Sequence, residues 1–134
     1  MNRPACEADL PFLTTLSPDV SPSLLHKQIT DGRLRVIQTG EQAIGVIKFY
    51  VLWETLPFIE VILLRESLRH RGYGTEAVRE WEQEMGARGF DLALISTQAN
   101  ETAQHFWRKL GYMDCGSFSV RGKPSELFMQ RALK

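Results

Sequence analysis

An α/β (α+β) fold is what this sequence predicts: a mixed sheet of six to seven strands flanked by about four helices. Three observations carry that expectation. Ala77, Val78, Trp81 and Met85 recur at helical spacing, whereas Ala43–Leu52 is rich in β-branched and aromatic residues. Asp91–Thr97 is a near-continuous apolar run, the pattern of a strand covered on both faces. Helical and extended segments then alternate as two helices, three strands, helix, strand, helix and two strands, which places helices on both faces of one sheet.

Taken in order, too few residues precede Pro4 to define a strand, and a very short one there stays open. Ala5, Leu10, Phe12, Leu13 and Leu16 suit a short amphipathic helix. Ser21 and Ser23 offer N-cap oxygens to a second helix that Gly32 closes. Leu34–Gln38 reads as a strand, 39–42 as a turn, Ala43–Leu52 as a longer strand, and Pro57–Leu64 as the next after a turn at 54–56. The helix Gly74–Ala87 turns Glu76, Arg79, Glu80 and Glu82 toward water and stops at Gly86 and Gly89. After the strand at Asp91–Thr97, Asn100 caps a helix from Glu101 to Leu110 that Gly111 ends. Strands at Tyr112–Val120 and Glu126–Ala132 flank a turn at 121–124.

The 134 residues suffice for one domain, 1–134, and no repeat or Pro/Gly-rich linker divides them. Sixteen basic and sixteen acidic side chains cancel, so no global field favours nucleic acid or an anionic membrane, and any anionic ligand must be held locally. Cys6 and Cys115 form neither a zinc signature nor a disulfide framework, and free thiols suit a reducing cytoplasm. The first residues lack the apolar stretch and cleavage site of a secretory signal, and the longest apolar run, 58–64, is too short to span a bilayer. A cytoplasmic protein is expected. A homodimer stays open.

The most informative stretch is 64–75, which leaves a strand and enters a helix. Gly72 and Gly74 remove the Cβ atoms that would hold a ligand off the backbone. Amides at the helix start lack partners within it, the helix dipole makes that end electropositive, and Arg69, His70 and Arg71 add charge. A diphosphate fits such a place. A bland surface turn is the competing reading. A dinucleotide fingerprint is another, since Gly72, Gly74 and Ala77 fit G-x-G-x-x-A with Asp91 downstream. Against it, Asp91 starts a strand instead of ending one, and seven residues separate Leu64 from Gly72.

Arg69, Gly72 and Gly74 resemble motif A of the GNAT superfamily of acyl-CoA-dependent N-acyltransferases. Asn100, Ala103, Phe106, Trp107, Lys109, Gly111 and Tyr112 resemble its motif B, and Arg3-Pro4-Ala5 with Glu7–Leu10 is similar to many of its N-termini. The resemblance implies a GNAT fold whose mostly antiparallel sheet splays between its fourth and fifth strands. It implies acetyl-CoA as co-substrate, its pantetheine arm lying like an extra strand along Ile62, Leu63 and Leu64. The diphosphate would then rest on amides of His70, Arg71, Gly72, Tyr73, Gly74 and Thr75, with Asn100 bonding the pantetheine from the opposite side. The acceptor, a small-molecule or peptide amine, would lie near 13–28 and 117–125, where Asp19 is the one acid.

Direct acetyl transfer in a ternary complex needs a neutral amine, a polarised thioester and a protonated leaving thiolate. Glu60, interrupting an apolar strand, is the candidate base, weighed against an outward-facing strand residue, with Glu54 in reserve. A backbone N–H near Leu64 would polarise the carbonyl. The departure lies at Trp107, where many members of the superfamily place an acidic tyrosine; an indole N–H donates hydrogen bonds but is no usable acid. Trp107 is expected to pack against the cofactor, and a catalytically weak acyl-CoA-binding or regulatory module is the alternative. His26 and His105 have no metal-ligand partners at useful spacing, so no metal is expected, and Ser96 and Thr97 lack a nucleophile elbow. Cys115 reads as a small core residue.

Overall fold

Strand β1 (Asn2–Pro4), too short to define from sequence, exists because β2 (Leu34–Thr39) offers it an antiparallel edge, with Asn2 registering on Ile37 and Pro4 on Arg35. The computed structural model describes residues 1–134. Further along come a 3₁₀ turn (Glu7–Asp9), α1 (Leu10–Leu16), α2 (Pro22–Thr30), β3 (Gln42–Leu52) and β4 (Leu56–Leu64). A second 3₁₀ turn (Glu66–Leu68) leads to α3 (Tyr73–Ala87), β5 (Leu92–Gln98), α4 (Ala103–Lys109), β6 (Met113–Phe118) and β7 (Glu126–Ala132). The seven strands form one mixed sheet in the order β1-β2-β3-β4-β5-β7-β6. β4 runs parallel to β5, whereas β1–β2, β2–β3, β5–β7 and β6–β7 are antiparallel. The expected sheet and four helices are thus present.

Contacts divide the chain into two units: 1–50 with 61–81, and 51–60 with 82–134. In the first, Leu13, Leu25, Leu34 and Val46 form a buried cluster against which Leu10, Phe12, Leu16 and Leu63 pack. Phe49 meets the fully buried Trp81 edge-on at 5.7 Å, which adds a specific ring contact to the area both remove from water. The predicted cap forms: Ser21 Oγ accepts from the Leu24 N–H at 3.2 Å, and Pro22 at the first helical position has no N–H to orphan. Asp9 ties the chain entry together, its carboxylate accepting from Arg3 Nη1 and Nη2 and from the Cys6 N–H, each at 2.8 Å. Gly45 on β3 lets β4 come close, since a Cβ there would lie 2.4 Å from the Leu63 carbonyl oxygen.

The second unit centres on Ala93, Ile95, Met129, Trp107 and Leu110. Its parallel β4–β5 register is short, pairing Phe58 with Leu94 and Ile59 with Ile95, while β5 pairs β7 from Leu92 to Gln98. Three expectations are corrected here. Glu82 does not face water: it is 5% exposed, accepts the Tyr112 hydroxyl at 2.7 Å and is paired by Arg131 at 3.1 Å. Asn100 caps no helix, because α4 begins at Ala103 behind Thr102, and Gln104 Nε2 reaches back to the Ala99 and Glu101 carbonyls to hold the turn. Cys115 is exposed, on a β6 that is exposed along its whole length at the sheet edge and bulges between Asp114 and Gly116. Its thiol is nonetheless pushed above the ordinary range, by desolvation first and by Asp114 second. No helix is long and apolar enough to cross a membrane, which says nothing of β-barrels.

Candidate active site

Within the first unit, β4 delivers Ile62, Leu63 and Leu64, all half-buried, to the segment singled out in the sequence. The seven residues between Leu64 and Gly72 are not slack. Arg65 N–H donates to the Ile44 carbonyl at 2.8 Å, its Nε to the Ala43 carbonyl at 3.0 Å, and its guanidinium stacks over Phe12. The 3₁₀ turn follows, and Arg69 Nε folds back onto the Leu64 carbonyl at 3.2 Å. Arg69 therefore braces the loop against the strand end while staying exposed.

Two residues of this loop take left-handed backbone: His70 at φ 63° and Gly72 at φ 87°. For His70 that conformation is uncommon and stores strain, which a ligand-gripping loop commonly carries. Arg71, Gly72 and Thr75 are exposed, Tyr73 is half-buried and Gly74 is buried. The hydrogen-bond ladder of α3 starts where the Glu76 N–H meets the Gly72 carbonyl at 3.1 Å. The amides before Glu76 point past the ladder, toward the end where the helix dipole is positive. An exposed, cationic, glycine-bearing helix start has the chemistry to receive an anion.

Within the second unit stand the other predicted residues. Glu60, on β4, is half-buried, and strand alternation gives it the same face as Phe58. Glu54 is exposed in the β3–β4 turn, where Trp53 and Glu54 both have positive φ (51° and 64°) and Thr55 N–H closes onto the Leu52 carbonyl at 3.0 Å. Asn100 is exposed in the turn between β5 and α4. Trp107 is 4% exposed and meets Phe106 and Tyr112 edge-on at 4.9 and 5.3 Å. The Tyr112 hydroxyl is committed to Glu82. The structure therefore gathers Ile62–Leu64 and Arg69–Thr75 in one unit, and Glu60, Asn100 and Trp107 in the other. Sequence reading missed Arg65, the loop's main brace, because its acceptors, Ala43 and Ile44 on β3, lie more than twenty residues before it. It also missed the Glu82–Tyr112–Arg131 group, whose partners are 30 and 49 residues apart.

A model of the acetyltransferase (GNAT) family matches residues 5–112. No curated protein sequence matches the chain. Among solved structures, the ribosomal-protein-alanine N-acetyltransferase from Brucella melitensis is similar with a TM-score of 0.83 at 19% identity, over 98% of this chain and 99% of that one. An aminoglycoside 6'-N-acetyltransferase complexed with coenzyme A is similar at TM-score 0.84 and 14% identity, covering 100% and 97%. The structure of yncA from Salmonella typhimurium, solved with its cofactor acetyl-CoA, gives 0.84 at 13% identity, covering 100% and 94%. At these identities the likeness is one of fold.

Proposed function

The chain belongs to the acetyltransferase (GNAT) family, and from that premise we propose that it moves an acetyl group from acetyl-CoA directly onto a primary amine of a small molecule or peptide. One observation carries the proposal: the exposed loop from Arg69 to Gly72, left-handed at His70 and Gly72, ends in a helix whose ladder begins only at Glu76. Amides so presented suit the coenzyme's diphosphate, with Arg69 and Arg71 adding charge at the rim. The pantetheine arm would run beside Ile62, Leu63 and Leu64 as an added strand, a reading supported by the two-residue β4–β5 register and by the coenzyme-bound relatives. Asn100, exposed in its turn, is available for a pantetheine amide. Trp107 would serve as a packed wall more than a direct contact.

When bound, acetyl-CoA supplies the activated acyl carbon. The protein's part is to hold it, polarise its carbonyl with a β4 amide, and relieve the amine of a proton through Glu60, directly or through water. Glu60→Gln should lower turnover on the order of 10²-fold and remove the acidic limb of the pH–rate profile. A wild-type profile in that variant would acquit Glu60. Acetyl-CoA should raise the unfolding midpoint in proportion to the logarithm of its concentration. Absence of any such rise would end the reading.

A second reading has its own observation. Trp107 stands at the tyrosine position and the nearby Tyr112 hydroxyl is bound to Glu82, so neither supplies an acid to a leaving thiolate. A catalytically weak acyl-CoA-binding module follows if acetyl-CoA binds without turnover on a broad amine panel.

A further inference from the structure

In the β3–β4 turn, the two central residues Trp53 and Glu54 both hold left-handed backbone, closed by the Thr55 N–H on the Leu52 carbonyl. Hairpin turns of this kind favour Asn-Gly, so a bulky indole sits there against its own backbone preference. Burial offers no compensation: Trp53 is 81% exposed, whereas Trp81 and Trp107 are 0% and 4%. Trp53 lines an open hollow of about 560 Å³ that lies wholly within the second unit. Leu56, Phe90 and Leu92, all half-buried, supply its apolar surface. Glu54 and Asp91, both exposed, line it as well, and none of the lining residues is basic. Asp91 already holds a cation, its Oδ1 pairing with Lys134 Nζ at 2.9 Å. Both partners of that pair are exposed, so it contributes little and a second cation can exchange with it.

We propose that this hollow docks a peptide segment of a partner protein, whose arginine lays its guanidinium on Trp53 within reach of Asp91 and Glu54. Charge selects the occupant. An acidic segment would be repelled, and a wholly apolar one would take water from two carboxylates and give nothing back. A guanidinium is planar and weakly hydrated, so it stacks on an indole and still offers N–H groups to a carboxylate. Apolar neighbours of that arginine would cover Phe90, Leu56 and Leu92, and the hollow has more room than one side chain fills. Exposed tryptophan and arginine are the usual anchors of protein interfaces. Leu56 opens β4, whereas Ile62–Leu64 close it, so the docking surface does not include the stretch assigned to the coenzyme. The proposal stands apart from the acetyl-transfer reading.

Trp53 is also the reporter, since acrylamide in solution reaches it while Trp81 and Trp107 are buried. The probe is a pentapeptide with one arginine between two valines and a serine at each end, capped at both termini. Having no free amine, it reads docking and not acetyl transfer. It should protect Trp53 from acrylamide quenching and bind about tenfold more tightly than the same peptide carrying citrulline, the uncharged isostere. Asp91→Asn should weaken the arginine peptide about threefold and leave the citrulline peptide unchanged. Trp53→Asn suits the left-handed turn, so it should hold or raise the unfolding midpoint while calorimetry shows the peptide no longer binding. Several results would overturn the proposal: no binding, equal binding of the arginine and citrulline peptides, or undiminished binding by Trp53→Asn. Capped arginine alone binding as tightly as the pentapeptide would give the hollow to a small molecule. Protection of Trp53 that grows with protein concentration alone would give it to a second copy of the chain, and either outcome defeats the peptide assignment.

Discussion

At the scale of single residues, Asp9 shows how one buried charge ties the entry of the chain together. Its side chain is 8% exposed and accepts both Arg3 guanidinium nitrogens at 2.8 Å. The Arg3 hydrogen bond, ahead of the opposing desolvation and the Cys6 amide, holds the carboxyl at about 2 against an ordinary 3.8. A folded-state value below the unfolded one means stability that is present above the unfolded value and lost as pH falls through the folded one. The difference corresponds to about 2 kcal/mol. The unfolding midpoint of the wild type should therefore fall between about pH 4 and pH 2. Asp9→Asn should lose roughly 2 kcal/mol at neutral pH and show a flatter profile in that acid window. An unaltered acid profile in Asp9→Asn would mean that the Arg3 pairing contributes nothing net.

Among elements, β4 and the head of α3 are each set by a glycine, for opposite reasons. Gly72 needs its left-handed φ of 87°, and a Cβ there would meet nothing within 4 Å. Gly72→Ala should then cost about 1 kcal/mol of stability, from backbone conformation alone. Its larger effect should fall on acetyl-CoA affinity, because the loop's amides turn with it. Gly45 has no such φ, but a Cβ there would press to 2.4 Å from the Leu63 carbonyl, and a backbone oxygen cannot swing aside. Gly45→Ala should cost about 3 kcal/mol, the range of overpacked interiors. Urea midpoints for the two variants, read beside coenzyme titrations, check the contrast. Equal losses of stability would show that close approach of β3 and β4 is not what Gly45 provides.

For the molecule as a whole, what the sequence made legible and what it hid divide along physical lines. The succession of strands and helices, α3 included, was readable because period, β-branching and glycine spacing are local signals. Glu82 was misread because a helical period reports which face a residue occupies, not that Tyr112, just before β6, and Arg131, on β7, arrive there to satisfy it. Cys115 was misplaced because an edge strand exposed on both sides has no buried face to impose a pattern. Asn100 looked like a cap because its residue type fits one; Gln104 holds that turn instead. The single-domain expectation for 1–134 belongs at this scale too, and chain continuity supports it. β3, β4 and α3 each begin in one contact unit and end in the other, at 50–51, 60–61 and 81–82. Unfolding either unit alone would break all three elements partway, and a helix or strand cut at mid-length loses the cooperativity that sustains it. We therefore expect one transition. In native-state hydrogen exchange, the amides of Val36 and Ile95, each within 2% of complete burial in different units, should open with the same free energy and the same denaturant slope. Two distinct slopes would show that the units open separately, and the single-domain reading would give way.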